Sequence, residues 1–200
     1  MNSSRVSASA ALAACVGSLV LTLGACGSNT GSSSASPPSP TETATATSGC
    51  PTAAPSDDAA PEWTLSGTTG GVAVTGSTDT AAPLVTVDAP FSVTQTQVHT
   101  LRPGDGPVVA ETATVSVCYM GVNGRDGTVF DNSYERGAPV EFPLDGVVPG
   151  FQKAIAGQTV GSTVAVAMTS ADGYPDGQPA AGIQKGDTLI FAITILGASS

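Results

Sequence analysis

Few side chains in this sequence could carry covalent or metal chemistry. There are four cysteines and one histidine among 200 residues, and no Cys-x-x-Cys pair. Zinc centres draw on clustered cysteine and histidine, so a zinc site is argued against. His99 stands alone in a polar stretch and reads as a surface strand residue. Asp131 and Arg136 lie close enough in sequence to pair; a solvated ion pair of this kind is worth under about 1 kcal/mol. By residue type alone, Phe130, Phe142, Phe151 and Phe191 are ordinary core aromatics. Charged residues make up only 11% of the chain, acidic ones dominate, and the net charge is -10. Phosphate binding needs clustered Lys and Arg, which this chain lacks, so a nucleic-acid partner is excluded.

Cys26 is reactive in another sense. Arg5 gives a short positive start, and an apolar run from Ala10 to Ala25 follows, including Leu19, Val20, Leu21 and Leu23. The run is short and interrupted by Gly and Ser, which suits a signal peptide over 1–25 better than a spanning helix. Leu23-Gly24-Ala25-Cys26 resembles the lipobox of bacterial lipoproteins. That resemblance implies a diacylglycerol on the Cys26 thiol, cleavage before Cys26, and an exported chain anchored by lipid to the outer face of the cell membrane. A diacyl group meets the usual need for two chains in stable attachment. Leu12-Ala13-Ala14-Cys15 has the same form after a shorter apolar stretch, and ordinary cleavage with free secretion is the other alternative. After Cys26, the segment 26–61 is mostly Ser, Thr, Ala, Pro and Gly. It has too little apolar surface to offset ordering entropy and is expected to be a disordered linker. Its reach as a flexible coil is roughly 30–35 Å.

The elements that could position these residues begin near Trp63. Val72-Ala73-Val74 and Leu84-Val85-Thr86-Val87 are short strand candidates, and 93–101 alternates loosely around Val93 and Val98. Pro103-Gly104-Asp105-Gly106 is a turn cluster. Over 113–120, Val115, Val117 and Tyr119 share one face, while Thr114, Ser116 and Cys118 share the other. Asn123-Gly124 and Asp126-Gly127 mark a loop between strands. The segment 162–169 sets Val164, Val166 and Met168 on one face; 188–196 is apolar on both, so it should be central or covered. One helix fits: Pro149 suits a first turn, Phe151 and Ile155 share a face, and Gly157 can cap the end. It is too short to stand alone and must lie on a sheet. The expected class is α+β: a curved antiparallel β-sheet wrapped around one short α-helix, with an N-terminal β extension over 62–97 and a disordered N-terminal linker.

Several ordered segments then resemble a known family. Thr128 to Gly137 reads TVFDNSYERG; Val140-Glu141-Phe142-Pro143-Leu144 and Val147-Val148-Pro149-Gly150-Phe151 follow. Val117-Cys118-Tyr119-Met120-Gly121 precedes them, and Gly186-Asp187-Thr188-Leu189-Ile190-Phe191 closes the run. In this order they resemble FKBP-type peptidyl-prolyl isomerases over 98–197, about half the chain. The resemblance implies a pocket between helix and sheet walled by Tyr119, Phe130, Phe142, Val147, Val148, Phe151, Tyr174, Ile183 and Phe191. Tyr119, Asp131 and Tyr174 would be its catalytic groups, with Arg136 completing a polar cluster at the rim. It implies X-Pro polypeptides as partners, macrolides such as rapamycin as inhibitors, and no cofactor, nucleophile or metal, because no bond breaks.

The sequence also departs from that family. Phe151 stands where a tryptophan usually forms the pocket floor, and Asp172 stands where an aromatic residue commonly precedes Tyr174. Cys118 replaces a frequent histidine. With Cys15 removed and Cys26 lipidated, Cys50 and Cys118 remain; the exterior favours oxidation, and both a Cys50–Cys118 disulfide, which would tie the end of the linker to the sheet, and two free thiols stay open. The altered loop 171–183 leaves three functions to separate: an isomerase assisting the folding of exported proteins, a catalytically weak binding module for Pro-containing segments or a partner protein, and a surface lipoprotein without a ligand. For 62–97 the expectation is extra strands along the sheet edge, or else a partner-binding arm.

Overall fold

The computed structural model describes residues 49–56 and 58–199. The signal peptide, Cys26 and most of the linker lie outside the described residues. Two antiparallel sheets build the fold. Strands β1 (Trp63–Ser66), β2 (Thr69–Thr75) and β3 (Leu84–Ser92) form the first, in that order. The second contains β4 (Gln97–Arg102), β5 (Thr114–Asn123), β6 (Val129–Asn132), β7 (Val140–Pro143), β8 (Thr163–Met168) and β9 (Leu189–Ser199). Its order is β4-β8-β9-β5-β6, with β7 also paired to β5. A single turn of helix, α1 (Ser133–Arg136), follows β6, and α2 (Pro149–Ile155) follows β7.

The long strand β5 explains this layout. One edge pairs with β9 along its whole length. The other is shared: Thr114–Val117 faces β7, and Met120–Val122 faces β6. Alternation then sorts the side chains. Val115 and Val117 join Val164, Val166, Met168, Leu189, Phe191, Ile193 and Ile195 in a core under α2. The helix contributes Phe151, Ala154 and Ile155, all buried. Gly157 ends it at φ +80°, a left-handed conformation that glycine takes without penalty.

The apolar far side of β9 finds its cover in the N-terminal sheet. Ile190 and Ala192 pack with Ala165, Ala167 and Val122 against Val72, Val74 and Phe91. This corrects the expectation for 62–97: the segment forms neither edge strands nor a free arm, but a second layer on the sheet face opposite α2. Trp63 anchors it by stacking on His99, with ring centroids 5.6 Å apart and planes 6° from parallel. His99 is an exposed residue of β4.

A disulfide joins Cys50 to Cys118 on β5. The chain before β1 therefore starts as a strap. The Cys50 amide donates to the Gly137 carbonyl at the end of α1 (3.3 Å), and the Ala82 amide donates to the Ala53 carbonyl (2.8 Å). The short elements β6, β7 and α1 have no signature of their own in the hydrophobic pattern.

Candidate active site

Between α2 and the sheet lies a hollow of about 400 Å³. Tyr119 reaches it from β5, Phe130 and Asp131 from β6, Phe142 from β7, Phe151 from α2 and Phe191 from β9. Gly146, Val147 and Val148 close one side as the chain enters α2, and Tyr174 comes from the β8–β9 loop. Alternation in β5 and β9 turns Tyr119 and Phe191 inward, and Pro149 starts the helix that sets Phe151 beneath them.

The rings hold one another. Phe151 meets Phe191 at 5.2 Å, Phe142 at 5.3 Å and Tyr119 at 5.8 Å, all edge to face. Phe130 meets Phe191 at 5.5 Å in the same manner. Such pairs set positive edges against negative faces and contribute about 0.5–1.5 kcal/mol each beyond burial. Phe151 and Phe191, 4% and 5% exposed, make the floor; Tyr119, Phe130, Phe142 and Tyr174 are only partly buried and leave an apolar cleft open to solvent.

The rim carries one polar cluster. The Tyr119 hydroxyl donates to Oδ2 of Asp131, and Arg136 donates to Oδ1 at 2.7 Å. Local structure fixes all three. Asp131 lies opposite Gly121 in the β5–β6 register, beside Tyr119. Asn132 caps α1 by accepting from the Tyr134 amide at 3.0 Å, and α1 carries Arg136. The Ser133 hydroxyl accepts from the Tyr119 amide at 2.8 Å. Tyr134 is 1% exposed, and its hydroxyl sits between Ser77 and Thr194. Burial pushes the Tyr119 phenol up to about 12, reinforced by the adjacent Asp131 carboxylate. Burial alone would raise Asp131, but hydrogen bonds from Tyr119 and Arg136 outweigh it and hold the carboxyl below its usual range. At neutral pH the cluster is thus a neutral phenol, a carboxylate and a guanidinium.

A protein described as FK506-binding protein, from Streptomyces anulatus, is 36% identical over 96 residues, covering 46% of this chain and 77% of that protein. The family model for FKBP-type peptidyl-prolyl cis-trans isomerase matches residues 106–196. The chain belongs to this family. An Escherichia coli relative, described as FKBP-type 22 kDa peptidyl-prolyl cis-trans isomerase, is 37% identical over 100 residues, half of this chain. The match spans 48% of that relative's length. The N-terminal domain of FKBP42 from Arabidopsis thaliana shares the fold, with a TM-score of 0.50 at 14% identity, covering 54% of this chain and 88% of that one.

In this FKBP-type domain eight of the nine residues expected in the wall do line the hollow. Ile183 is the exception. It is 2% exposed, packs in the core and is not among the residues that line the hollow. Its backbone instead closes the loop by bridging to Gln178. Gly146 lines the hollow and was missed, because a glycine between Asp145 and Val147 carries no signal of its own. Asp172 lies outside the hollow and is held by Lys153, Thr96 and the α2 backbone.

Proposed function

We propose that this hollow takes in the proline of X-Pro segments and accelerates cis–trans rotation of the preceding amide. The observation that carries the reading is the convergence of four phenylalanines, Tyr119 and Tyr174 on one open cleft rimmed by the Tyr119–Asp131–Arg136 cluster. Resonance makes the amide slow to rotate, with a barrier of about 18–20 kcal/mol, so uncatalysed exchange takes tens of seconds or longer. Water stabilises the charge-separated resonance form; an apolar aromatic cleft does so less, and the amide twists more easily there. Burial of the pyrrolidine ring against Tyr119, Phe130, Phe151 and Phe191 contributes on the order of 1.5–3 kcal/mol. A gain of about 10⁵ in rate requires roughly 7 kcal/mol, supplied by tighter binding of the twisted amide than of the planar one.

The Tyr174 hydroxyl is the donor to a substrate carbonyl. Tyr119 already donates to Asp131, and both Asp131 oxygens are engaged. Asp131 therefore acts by orienting Tyr119 and Arg136 rather than by polarising the amide directly.

The wider arrangement belongs to the same proposal. Residues 1–25 are a signal peptide, Cys26 is lipidated, 26–61 is a tether, 62–97 is the β extension and 98–197 is the isomerase domain, working on exported polypeptides at the outer face of the cell membrane. The lipobox-like Leu23–Cys26 and the Cys50–Cys118 disulfide support this, since disulfides persist outside the reducing cytosol. Palmitate labelling that persists in Cys26→Ala would remove the assignment to Cys26, and no labelling of the parent chain would remove the anchor.

The activity is tested with the full chain, by exchange spectroscopy on an X-Pro peptide with Asp131→Ala and Tyr174→Phe beside the parent. Acceleration that both substitutions weaken is expected. Saturable binding of rapamycin without acceleration would select a binding module, and neither would leave a structural protein.

A further inference from the structure

The loop that delivers Tyr174 departs from the expected pattern at Asp172, and the structure shows what that carboxylate does. Lys153 on α2 donates to both Asp172 oxygens at 2.8 Å. Thr96, just ahead of β4, donates to Oδ2 at 2.5 Å. The Asp172 carbonyl accepts from the Gly150 amide in the first turn of α2 at 2.8 Å. Its own amide returns to the Thr169 carbonyl at the end of β8, at 3.1 Å. Thr96 closes the circuit by accepting from the Thr169 amide at 3.2 Å. One residue thus ties the loop to α2, to the approach of β4 and to the end of β8.

The bonds on Tyr174 itself are local by comparison. Its carbonyl accepts from Ser170 at 3.2 Å and from the Gly177 amide at 3.0 Å, both within the same loop. They shape the turn without fixing it to the floor of the hollow. The Asp172 connections run to Gly150 and Lys153, the neighbours of Phe151, so they set Tyr174 relative to that ring.

We propose that Asp172 is a positioning residue that holds the Tyr174 hydroxyl over Phe151, an ionic tether in place of aromatic packing. This rests on the reading of the hollow as an isomerase site. The side chains of Asp172 and Lys153 are 23% and 56% exposed, so the pair is too wet to matter much for global stability. Its effect falls on where Tyr174 points. Lys153 and Thr96 hold the Asp172 carboxyl below the usual range, so the tether is charged throughout the neutral region.

The test uses the full chain with Asp172→Ala, Asp172→Asn, Tyr174→Phe and the double change Asp172→Ala with Tyr174→Phe. If Asp172 acts through Tyr174, Asp172→Ala lowers kcat/KM by about three- to tenfold, the worth of one hydrogen bond to substrate. The loss falls mainly on KM, because that bond serves planar and twisted amides alike. Asp172→Asn keeps an acceptor for Thr96 and loses less. With Phe at 174, Asp172→Ala changes kcat/KM less than about twofold, the non-additivity of residues acting as one unit. Equal losses in both backgrounds, or none in either, overturn the proposal. Amide exchange needs no substrate: the amides of Gly173, Tyr174, Asp176 and Gly177 should exchange faster in Asp172→Ala while β5 and β9 do not. Unchanged exchange also overturns it. A parent chain without isomerase activity would sink the functional reading, and the exchange measurement would still decide whether Asp172 holds the loop.

Discussion

Gly121 offers the sharpest perturbation of the hollow from behind. It sits on β5 opposite Asp131 on one side and Phe191 on the other. A Cβ at this position would stand 2.7 and 2.8 Å from Cζ and Cε2 of Phe130, and 2.9 Å from Cε1 of Phe191. Carbon contacts are at rest near about 3.5 Å, so in Gly121→Ala each ring must retreat by roughly 0.6–0.8 Å. The two rings are not equally free. Phe191 is 5% exposed and braced edge-on by Phe151, whereas Phe130 is half-buried with open space before it. Phe130 therefore yields, and it yields into the cleft.

The energies separate fold from function. Overpacking a core costs about 1–3 kcal/mol. Removing a strand glycine returns about 0.5–1 kcal/mol. The net loss of about 0–2.5 kcal/mol lowers Tm by no more than about 10 °C in a folded region of this size. Activity should suffer more, because misplacement by about 1 Å at a binding wall costs up to about 10²-fold. The expected result for Gly121→Ala is a folded protein whose isomerisation of an X-Pro peptide, read by exchange spectroscopy at 25 °C, falls by about 10- to 100-fold. Activity within twofold of the parent would mean that Phe130 does not bound the productive cleft, and the assignment of that wall would be wrong.

Other consequences follow from the same geometry. Cys50 and Cys118 close a separation of 68 residues, for which loop entropy gives up to about 4 kcal/mol; Cys50→Ser, or reductant, should lower Tm, as a thermal scan with and without reductant reads directly. Val74 on β2 is 0% exposed in the core shared by the two sheets, so Val74→Ala should cost about 1.5–3 kcal/mol and lower one common transition; a separate early melt confined to β1–β3 would contradict the shared core. For pH, Asp131 is depressed, so its contribution is complete above the ordinary carboxylate value of about 3.9 and is lost as pH falls through its lower folded value. Tyr119 is raised to about 12, so its contribution is complete below the ordinary value of 10 and is lost as pH rises through about 12. The activity profile should accordingly be flat from about pH 5 to 9, and a bell centred near neutrality would show that some other group titrates in the mechanism.

What the sequence made legible follows from periodicity and from order. The alternation of Val115, Val117 and Tyr119, and of Val164, Val166 and Met168, places those faces correctly, because a strand half-buried under a helix must alternate. The two-faced apolar character of 188–196 called for a central or covered strand, and β9 is both, yet nothing in it named the partner. That partner, β1–β3, packs through Val72, Val74 and Phe91, residues ordinary enough to suit an edge or an arm equally well. The Asp131–Arg136 pairing was legible because both lie in one contiguous run closed by a one-turn helix. Ile183 was placed in the wall by position alone; it is buried in the core and is not among the residues that line the hollow.

The hollow itself is best understood as an unfinished end of the core. The helix α2 spans only Pro149–Ile155, and its buried side chains cover the middle of the sheet. Tyr119, Phe130 and Phe142 lie beyond it and are only partly buried. As built, Phe151 belongs both to the closed core, through Ala154 and Ile155 on its own helix, and to the cleft, through its contacts with Tyr119, Phe142 and Phe191. The rings beyond it keep their edge-to-face packing but lack a roof, and apolar surface left open in that way favours any ring that completes it. A pyrrolidine is small enough to do so, which is the physical basis of the proposed X-Pro reading. The cleft thus opens beside a short helix, and the polar cluster holds the Tyr119 hydroxyl at its rim while the ring lines the wall.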